Sequence, residues 1–152
     1  MTTIAANREC MAGDQRMTDA GPFGHTLKIQ RIGLSLFGMC GEAHRCHVLL
    51  EWLKTPQRNR PQLYKAFADE DGRYAIELME ISPGGIFLWN GWGVPLPILD
   101  KHWAIGSGAM AAMAAMKAGH DPEEAVRIAA QLDEATGPPI QVEYLKQPKR
   151  KR

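Results

Sequence analysis

The chain has 152 residues, a mass of 16.9 kDa and a formal net charge of +1, and its residues are 45% hydrophobic and 23% charged. These values are ordinary for one soluble globular domain, and residues 1–145 are predicted to form that domain. Five lysines and arginines lie in the basic tail 146–152, which is predicted to be disordered; the rest of the chain carries about −4, which argues against nucleic-acid binding.

The N-terminal half is predicted to contain a hairpin, two further strands and two helices. Small and β-branched residues flank a polar turn at Asn7-Arg8-Glu9, a pattern typical of a β-hairpin. A stretch rich in Gly, Asp, Thr and Pro then indicates a loop, and apolar residues at helical spacing indicate a helix that Pro56 ends. The predicted bounds are 2–13 for the hairpin, 14–25 for the loop, 28–39 for two strands broken near Gly33, and 42–53 and 61–68 for the helices.

The C-terminal half is predicted to contain a second hairpin, two helices and a last strand. Ser82-Pro83-Gly84-Gly85 is a turn sequence between two apolar runs, and Pro95 and Pro97 then favour an irregular or edge segment. Asp121 before a proline is typical of a helix start. The apolar face of that helix is predicted to be Ala125, Ile128, Ala129 and Leu132. The other predicted bounds are 74–81 and 86–89 for the hairpin, 104–117 for a strand end and its following helix, and 140–145 for the last strand.

Thr2 has the chemistry of a nucleophile once Met1 is removed, and methionine removal favours a small second residue such as threonine. A threonine hydroxyl is inert near neutral pH unless a base takes its proton. The free α-amino group of the same residue, with an unperturbed pKa of about 7.7–8.0, can act as that base. A nearby lysine would lower the pKa of the amine, and an acid would hold the lysine in place.

Five short motifs occur in an order that makes them more specific together than singly. They are Thr2-Thr3-Ile4, Ala12-Gly13-Asp14, Lys28-Ile29-Gln30-Arg31-Ile32, Ala104-Ile105-Gly106-Ser107-Gly108 and Asp133-Glu134-Ala135-Thr136-Gly137. In these motifs the chain resembles the proteasome β-subunit family, most closely the bacterial HslV peptidase. The resemblance covers nearly the whole chain, although the segment 55–73 is shorter than in that family.

The resemblance implies a role for each motif residue. Thr2 would be the nucleophile and its own amine the base, while Asp14 and Lys28 would form the pair that tunes them. The supporting hydrogen-bond network is implied to consist of Ser107, Asp133 and Thr136.

The sequence departs from the family pattern at two points of the implied site. Thr136 stands where serine is usual, which keeps the hydroxyl and adds one methyl group. The oxyanion hole is implied to come from backbone N–H groups in the segment 38–41, which is off-pattern. Cys40 and Gly41 are therefore alternative donors.

The order of predicted elements favours an α+β fold over alternating βαβ units, and the resemblance implies the four-layer αββα sandwich of N-terminal-nucleophile hydrolases. The implied activity is hydrolysis of peptide bonds in polypeptide substrates inside a homo-oligomeric ring, with no cofactor or metal. The chain contains no phosphate-binding loop sequence, so an ATP-dependent unfoldase would be a separate partner.

Two other functions remain open: a small-molecule amidase of the same fold, and a catalytically silent assembly or binding protein. A Cys40, His44, Cys46 and His47 cluster also has a spacing that could hold zinc, although small core cysteines explain it more simply.

The sequence predicts a cytoplasmic protein. Three cysteines, an odd number, make a poor disulfide framework and indicate a reducing compartment. The N-terminus lacks the features of a signal peptide, and no run approaches the ~18 apolar residues that span a bilayer.

Overall fold

The structure, a computed structural model, describes residues 2–17, 24–56, 76–89 and 94–146. Within these ranges it has eleven strands and three helices. The strands are β1 (Thr3–Asn7), β2 (Cys10–Asp14), β3 (Arg16–Met17), β4 (Gly24–His25), β5 (Ile29–Ile32), β6 (Ser35–Gly41), β7 (Ile76–Ser82), β8 (Gly85–Trp89), β9 (Pro95–Ile98), β10 (His102–Gly106) and β11 (Ile140–Tyr144). The helices are α1 (Ala43–Lys54), α2 (Ala109–Lys117) and α3 (Pro122–Ala129).

The strands form two larger antiparallel sheets and one small ladder. The four-stranded sheet has the order β10-β1-β2-β11, the five-stranded sheet has the order β5-β6-β7-β8-β9, and β3 pairs only with β4. The strand at the N-terminus therefore lies inside a sheet, with Thr3 opposite Gly106 on one side and Ile4 opposite Gly13 on the other. This position brings the beginning of the chain next to the end of β10.

The two larger sheets face each other across an apolar core. Strand alternation sends Leu36 of β6 and Met79 and Ile81 of β7 inward, where they pack with Ile4 of the opposite sheet. The sheets approach closely at Gly38, since a Cβ atom there would lie only 2.7 Å from the Cγ2 atom of Ile4. Only glycine fits between the sheets at this point without displacing a neighbour.

The helices lie on the outer faces of the sheets. Helices α2 and α3 pack on the four-stranded sheet mainly through alanines, whose small side chains permit close approach, and α1 packs on the five-stranded sheet through leucines. Helix α3 begins where Asp121 accepts a hydrogen bond from the N–H of Glu124 at 2.8 Å, with Pro122 at its first position. In the described ranges, no helix is both long enough and apolar enough to span a membrane.

Most predicted elements are confirmed where the structure describes them. The N-terminal hairpin, the two strands broken near Gly33, the helix after them, the second hairpin and the last strand are all present. The proline-containing segment forms β9, an edge strand. The predicted helix at 61–68 and the tail beyond Lys146 lie outside the described residues.

Two predictions are wrong. The predicted loop at 14–25 begins with the last residue of β2 and contains the paired strands β3 and β4, because backbone pairing with a neighbouring segment overrides a turn-rich composition. Leu132 is not on a helix face: α3 ends at Ala129, and Leu132 is 75% exposed. Residues spaced as in a helix no longer share a face there, because the chain tightens into turns: the Gln131 N–H donates to the Ile128 carbonyl at 3.1 Å and the Leu132 N–H to the Ala129 carbonyl at 3.0 Å.

Candidate active site

Thr2 lies at the entrance to β1, beside the turn that follows β10. Its carbonyl oxygen accepts a hydrogen bond from the Ser107 N–H at 3.0 Å. Gly106, at φ +94°, passes so close that a Cβ atom would lie 1.9 Å from this oxygen. The Gly106–Ser107 turn therefore sets the position of Thr2 through contact with its backbone.

Gly106→Ala should destabilise the protein by more than the ~1–2 kcal/mol expected for an L side chain in left-handed backbone, because its methyl group would also collide with the Thr2 carbonyl. Gly119→Ala is the matched control: Gly119 has φ +104° but no atom within 4 Å of the added Cβ. Denaturant unfolding of both variants measures the difference. Equal losses would contradict the proposed close approach.

Asp14 and Lys28 form a buried ion pair. The Lys28 Nζ lies 3.1 Å from each Asp14 carboxylate oxygen, and the two side chains are 9% and 0% exposed. Asp14 also accepts hydrogen bonds from the N–H groups of Thr3 at 2.9 Å, Arg16 at 3.2 Å and Gly137 at 3.3 Å. The Asp14 carboxylate thus connects β2 to the start of β1, to β3 and to the segment before β11.

The Lys28 ammonium has a perturbed proton affinity. It donates a further hydrogen bond to the Arg16 carbonyl at 2.6 Å. Burial lowers its pKa below the ordinary lysine value, although the neighbouring Asp14 carboxylate acts in the opposite direction. A depressed lysine pKa in a cleft is typical of functional sites.

Thr2 and Lys28 line one cavity of about 360 Å³. Both candidate oxyanion donors, Cys40 and Gly41 at the end of β6, line it too. The rest of the lining is mainly apolar, with contributions from β3 and α1. A nucleophile candidate, a cation and backbone donors therefore border the same space.

The three remaining predicted site residues lie together behind the turn. The hydroxyls of Ser107 and Thr136 both donate to the Asp133 carboxylate, at 2.5 and 2.6 Å. The Thr136 hydroxyl also lies 2.6 Å from the hydroxyl of Thr3, which the sequence interpretation did not select. Burial opposes ionisation of Asp133, but the hydrogen bonds from Ser107 and Thr136 hold its pKa below the ordinary aspartate value.

Because the pKa of Asp133 is lower in the folded than in the unfolded protein, its ionised form stabilises the fold above the unfolded value of about 3.9. That contribution should disappear as the pH falls through the folded-state value. Asp133→Asn should therefore show a smaller loss of melting temperature than the wild type between pH 5 and pH 2 (thermal melts at about 0.5-unit steps). Asp100→Asn, at an exposed turn position, is the control, and its melting temperature should vary with pH as that of the wild type does. If the melting temperatures of the wild type and Asp133→Asn fell in parallel, the role assigned to Asp133 would be contradicted.

A second acid outside the predicted set also reaches this region. Glu77 of β7 accepts hydrogen bonds from the Gly106 N–H at 2.9 Å and from the Cys40 thiol at 3.2 Å. Burial raises the pKa of Cys40 well above its ordinary value, with a further contribution from Glu77, so the thiol keeps its proton. Within the described part of the chain, no three His, Cys, Asp or Glu side chains are arranged to hold a metal ion.

No protein-family model matches the chain, and no curated protein matches it. Among solved structures, it is similar to BPH of Thiobacillus denitrificans, with a TM-score of 0.71, 22% identity and coverage of 97% of this chain and 99% of that one. It is also similar to that protein in complex with epoxomicin, with a TM-score of 0.68, 22% identity and coverage of 95% of this chain and 98% of that one. Its similarity to HslV from Trypanosoma brucei has a TM-score of 0.69, 25% identity and coverage of 93% of this chain and 98% of that one. The chain therefore has a proteasome/HslV-like fold.

Proposed function

Starting from this proteasome/HslV-like fold, we propose that the chain is a threonine-type peptidase whose nucleophile, Thr2, becomes active when Met1 is removed. The observation that carries the proposal is the buried Asp14–Lys28 pair, whose ammonium borders the same cavity as Thr2. Burying an ion pair is expensive, and a pair that merely stabilised the fold could be replaced by apolar residues. Its place on the cavity that Thr2 also lines supports a catalytic use.

In the proposed reaction, the Thr2 hydroxyl transfers its proton to its own amine while its oxygen attacks the carbonyl carbon of a peptide bond. The amine returns the proton to the leaving nitrogen, and an acyl-enzyme forms. In the second step the amine takes a proton from a water molecule, whose oxygen attacks the ester carbon. The ester bond to Thr2 breaks, the amine returns the proton to the Thr2 oxygen, and the carboxylic acid product leaves. The nearby charge of Lys28 disfavours protonation of the amine and so keeps the amine available as a base. Asp133, which accepts hydrogen bonds from two hydroxyls, supports the segment around the amine.

Backbone alternation in β6 favours Gly41 over Cys40 as the oxyanion donor. The Met39 N–H donates to the Lys28 carbonyl at 3.0 Å, and successive N–H groups of a strand point to opposite sides. The Cys40 N–H is therefore directed at β7, and the Gly41 N–H back to the side where the cavity lies. In a structure of acylated protein, the substrate oxygen should lie about 3 Å from the Gly41 nitrogen.

We also propose that the helices and facing sheets form the four-layer αββα sandwich and that the subunits assemble into a ring. Exposed apolar side chains, among them Leu99 (87% exposed) and Met110 (83%), would be covered by such assembly. Light scattering should then give a mass several times 16.9 kDa. A monomer would favour the amidase alternative instead. Polypeptide substrates and a separate ATP-dependent unfoldase belong to the same proposal.

Labelling tests the proposed nucleophile. Intact mass should show loss of Met1 in protein from the native host, and incubation with epoxomicin, the ligand of the Thiobacillus protein, should then add its mass to the N-terminal peptide. Protein that retains Met1 should not react, because its Thr2 nitrogen is part of an amide. Retention of Met1 in the native host, or labelling at another residue, would contradict the proposal.

A further inference from the structure

We propose that Glu77 is a positioning residue for the nucleophile: it holds the Gly106–Ser107 turn, which in turn holds Thr2. This inference rests on the proposed function for its catalytic consequence. Its structural part, a carboxylate that joins the two sheets beside Thr2, stands on the geometry alone.

Glu77 occupies an inward-facing position of β7. The strand alternates so that Met79 and Ile81 enter the apolar core between the sheets. Glu77 is on the same face of the strand, two residues before Met79 and nearer to the candidate site. Its side chain is exposed because it lies where the apolar core ends. The carboxylate is therefore in contact with water, and it accepts hydrogen bonds from two donors of the protein.

One donor, Gly106, is in contact with Thr2, and the other, Cys40, lines the same cavity as Thr2. The Gly106 N–H belongs to β10 of the four-stranded sheet, whereas the Cys40 thiol and Glu77 itself belong to the five-stranded sheet. Oxygen Oε2 of the carboxylate accepts both hydrogen bonds. Because Glu77 accepts a hydrogen bond from the opposite sheet, it links the two sheets at the edge where the nucleophile lies.

The link continues to Thr2 through the backbone. The Ser107 N–H donates to the Thr2 carbonyl, and Gly106 lies in contact with that carbonyl because it lacks a side chain. A shift of this turn would therefore move Thr2 relative to Lys28 and to the backbone donors of β6. A misplacement of about 1 Å lowers the rate of an enzymatic reaction by about 100-fold.

The test uses full-length protein without Met1 and the variants Glu77→Ala and Glu77→Gln. Glu80→Ala is the matched control: Glu80 is on the opposite face of β7 and accepts hydrogen bonds from Ser35 and Trp89 instead. Two readouts are compared, the amide proton shift of Gly106 by NMR and the kinetics of epoxomicin labelling. Melting temperatures show whether each variant is folded.

Glu77→Ala should lower the maximal labelling rate about 10- to 100-fold with little change in the half-saturating concentration, since Glu77 acts on the position of the nucleophile. It should also move the Gly106 amide proton upfield. Glu77→Gln, which keeps an acceptor oxygen, should recover much of both properties, and Glu80→Ala should leave both near wild type.

A wild-type labelling rate or an unchanged Gly106 amide in Glu77→Ala would overturn the positioning role. A wild-type protein that never reacts would overturn the proposed function, and with it the catalytic part of this inference. The Gly106 amide reports the hydrogen bond to Glu77 in either case, which keeps the two failures distinguishable.

Discussion

Thr2→Ala, in protein from which Met1 has been removed, is expected to lower peptide hydrolysis by about 10³-fold or more while leaving the fold intact. The substitution removes the attacking oxygen but keeps the α-amine. It also keeps the backbone carbonyl that binds Ser107. Alanine is small enough for methionine removal, so processing should be unaffected. Turnover of a peptide library, together with melting temperature and intact mass, measures the effect.

Thr2→Ser is the control for this prediction, because it retains a hydroxyl at the same position and should keep activity within about tenfold of wild type. Thr3→Ala is a second control at the adjacent position, where the hydroxyl bonds to Thr136 rather than bordering the cavity. It should affect stability more than it affects chemistry. Full activity in Thr2→Ala would show that the nucleophile is elsewhere.

Lys28→Met is expected to destabilise the protein by about 3–5 kcal/mol, because it leaves the Asp14 carboxylate buried without its cation. The double variant Asp14→Asn/Lys28→Met removes both charges and should be more stable than Lys28→Met alone. Both variants should be inactive, since neither supplies the ammonium beside Thr2. Urea unfolding and peptide hydrolysis, measured on the same samples, separate the two effects.

The exposed pair Arg127–Glu123 provides the comparison for this prediction. Its side chains are 49% and 41% exposed, so Arg127→Met should lower the free energy of unfolding much less than Lys28→Met does. If Lys28→Met lost no more stability than Arg127→Met, the buried pair would not be contributing as its geometry indicates.

Local patterns were sufficient to predict the N-terminal hairpin, the second hairpin and most helix starts, although not the pairing of β3 with β4. Asp121 before Pro122, for example, caps α3 as its sequence indicates. Local patterns alone did not predict that Thr2, Asp14 and Lys28 lie together, because an isolated lysine at a strand end is usually solvated. Only the order of the five motifs indicated that Lys28 belongs to a site. The structure places Lys28 in the interior against Asp14, but whether these residues act in catalysis remains a prediction.

Thr3 and Glu77 were missed for a physical reason. Thr3 contacts Thr136 across 133 positions of sequence, and the N–H of Gly106 reaches Glu77 across 29. Residues so far apart in the sequence leave no local pattern from which their contact could be predicted. The one available clue was the alternation of β7, in which an acid occupies a position that otherwise carries core residues. The end of α3 was missed because Leu132 continues the apolar spacing after the backbone has already turned.

The interior position of β1 decides where an experimenter can attach a purification handle. Thr2 is only 5% exposed, and any peptide fused ahead of it would convert its α-amine into an amide. Such a product could be well folded and abundant yet wholly inert. Lys146, the last described residue, is exposed and follows β11, an edge strand of its sheet. Recombinant material for enzymology should therefore carry its affinity sequence at the C-terminal end, or a cleavable N-terminal leader whose removal exposes threonine.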